Sequence, residues 1–280
     1  MKFPYSINVN GRLLTMERPL VMGIVNVTPD SFYESSRVGG GGALLARCRR
    51  MLDEGVDIID VGACSTRPGS EPVGENVELE RLHAAFELLD AEFPDAFFSV
   101  DTFRARVARE CVKEHAVAII NDVSGFDGDA AMLDTVAELN VPYVLTHSRG
   151  LAGDTPHYSD FLPELFKQLA DKIWALRQRG VKDVIIDPGF GFGKSVEQNF
   201  TMLGALEEFS MFDAPLLVGV SRKSMITKSL GITPDEALNG TSVLNTVALL
   251  KGAHILRVHD VKPAVEAVRL LAQMKNNFNR

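Results

Sequence analysis

The sequence predicts a single (β/α)8 barrel, in which eight parallel strands alternate with eight helices. Eight short apolar segments recur along the chain, and a segment with helical periodicity follows each of them. Dividing 280 residues among eight repeats gives about 35 residues each, enough for one strand and one helix. Because no low-complexity tract or charge run interrupts this pattern, we expect one domain over residues 1–280. The complete count favours a closed barrel over an open doubly wound sheet.

The predicted strands are rich in β-branched residues and end in polar ones. This pattern is typical of buried parallel strands that carry a functional loop at the carboxyl end. The predicted strands are Val21–Thr28, Val56–Ala63, Phe97–Thr102, Val117–Ser124, Pro142–His147, Asp183–Pro188, Pro215–Ser221 and His254–Asp260.

The intervening segments have apolar residues at a spacing near 3.6, which predicts amphipathic helices. Gly55, Gly180 and Gly252 follow three of these segments, where a left-handed C-cap is needed. The run Thr233–Glu236 predicts a helix N-terminus, because its proline suits the first helical position. The predicted helices are Gly42–Glu54, Glu75–Phe93, Arg104–His115, Ala130–Leu139, Leu162–Arg179, Val196–Phe209, Gly240–Lys251 and Lys262–Lys275.

A β-hairpin is predicted ahead of the first strand. Within Ile7–Met16, the dipeptide Asn10-Gly11 lies between two extended runs, which is a strong signal for a tight turn. We expect this N-terminal hairpin to cover the floor of the barrel.

The composition describes an acidic globular protein. Hydrophobic residues make up 46% and charged residues 24%, which excludes disorder as the main state. The net charge of −8 predicts neither nucleic acid nor a membrane surface as a partner, because both are polyanions. The three cysteines form no C-x-x-C pair, and we expect them to be inert packing residues, with Cys64, which borders a long loop, as the one to test for reactivity. The N-terminus lacks the apolar core of a signal peptide and no run could span a bilayer, so we expect a cytoplasmic protein.

Polar side chains end the predicted strands, where the catalytic groups of a barrel collect. Any one of them alone would be interpreted as a residue that caps a turn. A purely structural sequence does not need polar residues at all these places, so together they predict an active site. They are Asn26, Thr66, Arg67, Asp101, Asn121, His147, Asp187, Arg222, Lys223, Arg257 and His259.

These residues separate into two groups by chemistry. Asp101, Asn121 and Asp187 suit the N–H donors of a flat heterocycle such as a guanine or a pterin. The second group is cationic and follows the seventh and eighth strands, where this fold commonly binds phosphate. It comprises Arg222, Lys223, Arg257 and His259. For the last two of these, the alternative is a salt bridge to Asp260 or another neighbouring carboxylate.

Three loops are candidates for ligand contacts. The segment Asp187–Ser195 has one residue too few between its first glycine and its Gly-Lys pair to be a Walker A P-loop. We expect its glycines to let the backbone approach a ligand and to place Phe192 against a ring, with an ordinary glycine-rich loop as the alternative. The long loops Thr28–Gly42 and Ala63–Gly74 are expected to be lids, with disordered connectors as the alternative.

Seven motifs recur in a characteristic order along nearly the whole chain. They are Asn26–Phe32 (NVTPDSF), Ser65–Gly69 (STRPG), Ser99–Thr102 (SVDT), Ile120–Asp122 (IND), Asp187–Lys194 (DPGFGFGK), Ser221–Ser224 (SRKS) and Arg257–Asp260 (RVHD). Through these motifs the chain resembles the dihydropteroate synthase family of folate biosynthesis. The resemblance implies a (β/α)8 barrel, a homodimer and an enzyme that uses Mg²⁺. The implied reaction joins (7,8-dihydropterin-6-yl)methyl diphosphate to 4-aminobenzoate and gives 7,8-dihydropteroate and pyrophosphate.

The resemblance also implies a role for each residue that matches a motif. The pterin would be held by Asp101, Asn121, Asp187 and Lys223. Asn26 would contact the metal and the pyrophosphate, and the pyrophosphate would also be held by Arg257 and His259. The 4-aminobenzoate site would be shaped by Phe32, Thr66, Arg67, Pro68, Phe192, Lys223 and Ser224. The implied catalytic residues are Asp101, Asp187, Lys223 and Arg257.

We expect pyrophosphate to leave before the amine is fully bonded, because an electron-rich dihydropterin delocalises positive charge at its exocyclic methylene. Asp101 and Asp187 would stabilise that cation, while Mg²⁺, Arg257 and His259 neutralise the leaving diphosphate. The arylamine is neutral at pH 7 and needs no strong general base.

The chain departs from the family pattern at three places. Tyr33–Ser36 stands where many members have Ser-Asp-Gly-Gly, Cys64 where glutamate is frequent, and Thr146–Gly150 where Met-His-Met is commoner. Two other functions compete with the synthase: a methyltetrahydrofolate-binding methyltransferase, and a non-catalytic pterin-binding or scaffold protein. A methyltransferase needs no diphosphate site, so the cationic motifs Ser221–Ser224 and Arg257–Asp260 favour the synthase.

Overall fold

The structure is a computed structural model that describes residues 4–9, 11–27, 41–63, 73–149 and 161–278. Its first elements are β1 (Tyr5–Val9) and β2 (Arg12–Met16), which pair antiparallel. The predicted N-terminal hairpin is therefore confirmed.

Eight parallel strands follow and form the central ring. They are β3 (Leu20–Asn26), β4 (Ile58–Gly62), β5 (Phe98–Asp101), β6 (Val117–Asp122), β7 (Tyr143–Thr146), β8 (Val184–Asp187), β9 (Leu217–Val218) and β10 (Ile255–Val258). Their order is β8-β7-β6-β5-β4-β3-β10-β9, so the first and last strands of the ring are neighbours. A parallel bridge between Ile186 and Leu216 joins β8 to the segment that enters β9 and nearly closes the barrel. The predicted fold and all eight predicted strands are confirmed.

Helices cover the outside of the ring and follow the strands in alternation. They are α1 (Gly42–Glu54), α2 (Glu75–Glu92), α3 (Ala105–Glu114), α4 (Met132–Leu139), α5 (Phe161–Gln178), α6 (Val196–Gly204), α7 (Ser224–Leu230), α8 (Leu238–Leu250) and α9 (Val261–Phe278). Gly55, Gly180 and Gly252 have φ angles of 94°, 82° and 104°, so the glycines predicted to follow helix ends do have left-handed backbone.

The predicted helices differ from the structure mainly in one boundary and in one helix that was not predicted. The segment predicted as one helix over Val196–Phe209 is α6, which ends at Gly204, followed by a separate 3-10 helix, Leu206–Phe212. The run Thr233–Glu236 does begin a helix, with a capping box and with proline in its first turn; this is a short 3-10 helix, Pro234–Glu236, ahead of α8. The helix α7 was not predicted, because its seven residues are too few to show a clear helical period.

The inside of the ring has an apolar floor beneath a polar mouth. Side chains alternate between the inside and the helix-facing outside, as the period of a strand requires. At the amino ends of the strands, the inner residues pack against the hairpin; this cluster includes Ile7, Val9, Met16, Ile58, Ile119, Val144, Ile185, Leu217 and Ile255. Two positions further along the same strands, polar side chains replace them: Asp60, Asn121, Thr146, Asp187 and Arg257. The N-terminal hairpin therefore covers the barrel floor, as predicted, and the polar side chains lie at the opposite end of the barrel.

In the described ranges, no helix combines the length and the apolar character that a membrane crossing needs.

Candidate active site

Asp60 is the central acceptor at the mouth of the barrel. It lies on β4 and is fully buried. Its carboxylate accepts hydrogen bonds from Ser99 Oγ (2.5 Å), Asn121 Nδ2 (2.9 Å) and Arg257 Nε (2.7 Å). One carboxylate therefore connects β4 with side chains of three other strands, β5, β6 and β10.

Arg257 bridges two carboxylates. Its Nη2 atom lies 2.6 Å from Asp60 Oδ2 and 2.5 Å from Asp101 Oδ2. Burial acts to lower the pKa of the guanidinium, but the two carboxylates outweigh burial and raise this pKa. The charged guanidinium in turn screens two buried acids that otherwise repel each other.

Asp101 has an unusual protonation equilibrium. Burial raises the pKa of its carboxyl group to about 7; Arg257 opposes this shift, while the negative charge of Asp60 adds to it. Near neutral pH the group therefore exists in both forms. A ligand that donates N–H groups or carries positive charge next to Asp101 favours the ionised form.

Asn121 and Asp187 complete the acceptor group. Asn121 is 1% exposed and Asp187 is 5% exposed. Asp187 Oδ1 accepts from the Gly189 backbone N–H at 2.8 Å, and its Oδ2 lies 3.5 Å from Thr146 Oγ1. Since a carboxylate offers about four lone-pair sites, Asp187 keeps acceptor capacity for a ligand.

Lys223 places a cation beside these acids. It directly precedes α7, and its Nζ donates a short hydrogen bond to the Phe190 carbonyl oxygen. Nζ also lies 4.5 Å from the centre of the Phe192 ring, a cation–π contact. The pKa of Lys223 is lowered to about 8, chiefly by burial and in part by the charge of Arg257, while Asp187 and Asp101 oppose this shift. The ammonium form still predominates at pH 7.

The glycine-rich loop after β8 is fastened by its own lysine. Lys194 Nζ donates to the carbonyl oxygens of His147 (2.8 Å), Gly189 (2.8 Å) and Phe192 (3.2 Å). Gly189 has a φ of 73°, and a Cβ there would lie 2.0 Å from the His147 carbonyl oxygen, so only glycine fits. In a P-loop the lysine reaches phosphate, whereas this one binds backbone carbonyls.

His147 turns away from the mouth. The side chain is 1% exposed, and Nε2 lies 3.0 Å from Gln168 Oε1 on α5. Burial lowers the pKa of the imidazole to about 3, and the positive charge of Lys194 adds to this effect. The ring is therefore neutral at physiological pH, and His147 contacts the glycine-rich loop through its backbone carbonyl, which accepts from Lys194.

The cations predicted to bind an anion have different partners. Arg222 makes a bidentate ion pair with Asp260, with Nε–Oδ2 and Nη2–Oδ1 distances of 3.0 and 2.8 Å. His259 Nδ1 lies 3.0 Å from Ser221 Oγ at the carboxyl end of β10. Asp260, the partner considered above for Arg257 and His259, thus pairs with Arg222. Arg257 does form ion pairs with carboxylates, but these belong to the acceptor group.

Asn26 and Ser224 lie at the rim. Asn26 is the last residue of β3, is paired in register with Gly62 of β4, and is exposed; Ser224 begins α7 and is also exposed. A carboxamide oxygen suits Mg²⁺, which keeps waters and takes phosphate oxygens as further ligands. Among these side chains, Asn26 is therefore the one whose chemistry suits a Mg²⁺ ion, since the carboxylates of Asp60 and Asp101 bind Arg257.

Part of the predicted site lies outside the described residues. Four side chains assigned to 4-aminobenzoate lie there: Phe32, Thr66, Arg67 and Pro68. Most of both expected lids lies there too, with two of the departures from the family pattern, Tyr33–Ser36 and Cys64.

Asp60 is a site residue that was not predicted. The predicted residues are those that end the strands, whereas Asp60 precedes the end of β4 by two positions. A detectable signal was present: an acidic residue two positions after Ile58, within a strand of otherwise apolar residues and glycine, lies on the inner face.

The arrangement brings two chemistries to one end of the barrel. Buried acceptors on β4, β5, β6 and β8 face cations from β10 and from the turn after β9. The acceptors suit a planar ring with several N–H donors, and the cations suit an anionic group attached to that ring. Such a site can separate a ring-bearing cation from a departing anion.

Comparison with known proteins agrees with this chemistry. The pterin binding enzyme family matches residues 22–259. Dihydropteroate synthase of Escherichia coli is 40% identical over 266 residues, covering 93% of each chain. The same enzyme of Bacillus subtilis is 39% identical over 262 residues, covering 93% of this chain and 90% of the relative.

Solved structures resemble the whole chain. A Xanthomonas albilineans dihydropteroate synthase with 4-aminobenzoic acid superposes with a TM-score of 0.89 at 38% identity, covering 98% of this chain and 99% of that one. The Xanthomonas albilineans enzyme in complex with 7,8-dihydropteroate gives a TM-score of 0.85 at 36% identity, with 97% and 99% coverage.

Proposed function

Because the chain belongs to the dihydropteroate synthase family of pterin binding enzymes, we propose that it joins (7,8-dihydropterin-6-yl)methyl diphosphate to 4-aminobenzoate. The amine nitrogen forms a bond to the exocyclic methylene carbon, and the bond from that carbon to the diphosphate oxygen breaks. The products are 7,8-dihydropteroate and pyrophosphate, and one amine proton passes to solvent.

One observation supports this proposal most strongly. A buried acceptor group, Asp60, Asp101 and Asn121, is hydrogen-bonded within itself and to Arg257 at the same end of the barrel. A pterin ring presents N–H donors to such a group, while its diphosphate needs cations next to it. A methyltransferase that binds a folate without diphosphate has no use for the cationic half.

The proposed catalysis is mainly electrostatic. Asp101 and Asp187 would stabilise positive charge at the methylene carbon as the diphosphate leaves. Lys223 would hold the pterin. The leaving diphosphate would be held on one side of that carbon by Arg257 and His259. The arylamine attacks as a neutral nucleophile, so none of these residues has to remove its proton beforehand.

The remaining substrate roles follow the family resemblance. We propose that Asn121 and Asp187 hold the pterin, that Phe192 and Ser224 border the 4-aminobenzoate site, and that Asn26 binds a Mg²⁺ ion. The metal ion would neutralise charge on the diphosphate. The support for this ion is the chemistry of Asn26 and of its place on the rim.

We also propose a cytoplasmic homodimer. Two free and buried thiols, Cys48 and Cys111, support a reducing compartment. Exposed apolar side chains around α7 and α8, among them Leu230, Val243 and Leu250, support a subunit contact on that side. Light scattering after size exclusion should give twice the chain mass, and replacing Val243 with glutamate should shift the protein toward monomer.

The direct test is pyrophosphate release by the purified protein. We expect release to require 4-aminobenzoate and Mg²⁺, with 7,8-dihydropteroate appearing in equal amount by mass spectrometry. Asp101→Asn should lower kcat by about 10²-fold or more, because it removes a charge that stabilises the transition state.

The matched control is Asp95→Asn, which removes an exposed carboxylate outside the site and should retain wild-type kcat. Pyrophosphate release that does not depend on 4-aminobenzoate would contradict the proposed reaction. Tight binding of methyltetrahydrofolate without pyrophosphate chemistry would favour the methyltransferase, and pterin binding without turnover would favour a non-catalytic protein.

A further inference from the structure

A histidine and carboxylate cluster lies on the outer surface between α2 and α3. His83 comes from α2, Glu110 and Glu114 from α3, and His115 follows α3 directly. Because β6 begins two residues after His115, this cluster is at the floor end of the barrel, opposite the mouth. It therefore plays no part in the proposed reaction.

His83 lies at the centre of the cluster, and His115 reaches the other groups through its contact with His83. His83 Nδ1 lies 2.8 Å from His115 Nε2 and 3.8 Å from Glu114 Oε2. One ligand atom from each of His83, Glu110 and Glu114 lies within 4.8 Å of the others. Two nitrogens of a tetrahedral zinc site, each about 2.0–2.1 Å from the metal, stand about 3.3 Å apart. A shift of about half an ångström in one ring would make room for the ion.

Second carboxylates orient both imidazoles. His115 Nδ1 lies 3.0 Å from Asp90 Oδ2, so an N–H at this position donates to Asp90 and leaves Nε2 with its lone pair toward His83. On the other ring, His83 Nε2 lies 3.6 Å from Glu110 Oε2. A carboxylate behind the distal nitrogen of a histidine is the usual support of a metal ligand.

The cluster combines a fixed half with an adjustable half. The His115 side chain is 8% exposed and its ring centre lies 5.6 Å from that of Phe86, which is fully buried. The side chains of His83 and Glu114 are 27% and 59% exposed, so both can adjust to an ion. Glu87 and Asp90 also line this cavity, which surrounds two imidazoles with acidic groups.

We propose that His83, His115 and Glu114 form a binding site for a divalent transition-metal ion, with Zn²⁺ as the ion that fits best. Two imidazoles and one carboxylate are zinc ligands, whereas Mg²⁺ and Ca²⁺ prefer oxygen ligands alone. Asp90 and Glu110 act through the histidines and position them. Water fills the fourth coordination position.

Calorimetric titration with ZnCl₂ tests this site. The full chain is used without an affinity tag, after treatment with EDTA, and in excess Mg²⁺ to saturate the mouth. We expect one zinc ion per chain. His83→Ala should abolish this binding, Glu114→Gln should weaken it about 10-fold or more, and Asp90→Asn should weaken it about 10–100-fold.

The matched control is Glu208→Gln, which removes an exposed carboxylate on a distant 3-10 helix and should leave zinc affinity unchanged. Bound Co²⁺ should show the visible absorption of a tetrahedral site in wild type but not in His83→Ala. Each variant should keep the wild-type circular dichroism and pyrophosphate release. The absence of zinc binding in wild type, or equal affinity in His83→Ala, would overturn the proposal.

Discussion

Replacing Asp60 is the sharpest test of how the mouth is held together. Asp60→Ala removes the acceptor for Ser99, Asn121 and Arg257 at once. Asp60→Asn keeps the shape of the side chain but removes its charge. The introduced amide oxygen can still accept from Arg257 and Asn121, and its NH₂ group can donate to Ser99 Oγ.

The structure sets the size of each effect. Removing one partner of a buried ion pair lowers the free energy of unfolding by about 3–5 kcal/mol. In Asp60→Ala, Arg257 retains Asp101 as its second carboxylate. We therefore expect Asp60→Ala to lower the free energy of unfolding by about 3–5 kcal/mol. For Asp60→Asn we expect a loss of about 1.5–3 kcal/mol, the range for a hydrogen bond to a charged group.

The charge of Asp60 also acts on its neighbour. Because this charge helps to raise the pKa of Asp101, Asp60→Asn should lower that pKa from its value of about 7. The acidic limb of the kcat/KM profile should then move to lower pH. A change in stability alone would not move it.

Urea unfolding followed by circular dichroism measures the first effect, and pyrophosphate release across pH measures the second. Asp95→Ala, at an exposed position, is the control and should stay within about 0.5 kcal/mol of wild type. The reasoning fails if Asp60→Ala stays equally close to wild type, or if the acidic limb of Asp60→Asn coincides with that of wild type.

Three further predictions concern buried or partly buried side chains. The folded-state pKa of Asp101 is raised from 3.8 to about 7, so the free energy of unfolding should fall as pH rises through this window, by at most about 1.4 kcal/mol per pH unit, while kcat/KM rises. When the free energy of unfolding is measured with denaturant at each pH, it should depend less steeply on pH in Asp101→Asn than in wild type. Lys194→Met removes one donor from three backbone carbonyls, of which Gly189 keeps the Phe192 N–H, so we expect a stability loss of about 1–3 kcal/mol and a lower Tm by calorimetry. An unchanged Tm would contradict the role of that lysine. Burial raises the pKa values of Cys48 and Cys111 to about 12, so a Cys64→Ser variant should react with a thiol reagent only after unfolding, and rapid labelling of the native variant would contradict this.

The strands were predictable because a strand that is buried on both faces has a nearly continuous run of apolar residues in its sequence. Val117–Asp122 is buried along its whole length, and both the prediction and the structure begin it at Val117. The shorter helices were less predictable. The helix Ser224–Leu230 has two turns, of which Met225 and Ile226 are the buried residues, and two adjacent apolar residues define no helical face.

The residues of the site were more predictable than their partners. Asp101 and Asn121 stand at or next to the ends of apolar strands, so position alone selected them. The pairing of Arg257 was not predictable, because Asp60 lies 197 residues away in sequence while Asp260 lies three residues away. Strand order brings the distant acid into contact, and the turn after β10 directs the near one to Arg222 instead.

The two groups that the sequence separates by charge form one network, and this has a consequence for binding. In the free protein Arg257 is shared between Asp60, which is fully buried, and Asp101, which is 8% exposed. A ligand can therefore reach the contact with Asp101 and must leave the contact with Asp60 in place. A pterin ring that donates N–H groups to Asp101 frees part of the guanidinium, and a diphosphate on the same ligand supplies the negative charge that this guanidinium then lacks. Every buried charge stays compensated only when both parts arrive together. A pterin alcohol lacks the negative charge that Arg257 needs, and free pyrophosphate lacks the N–H donors that Asp101 needs. We therefore expect the pterin diphosphate ester to bind more tightly than the sum of the binding free energies of the pterin alcohol and of pyrophosphate predicts.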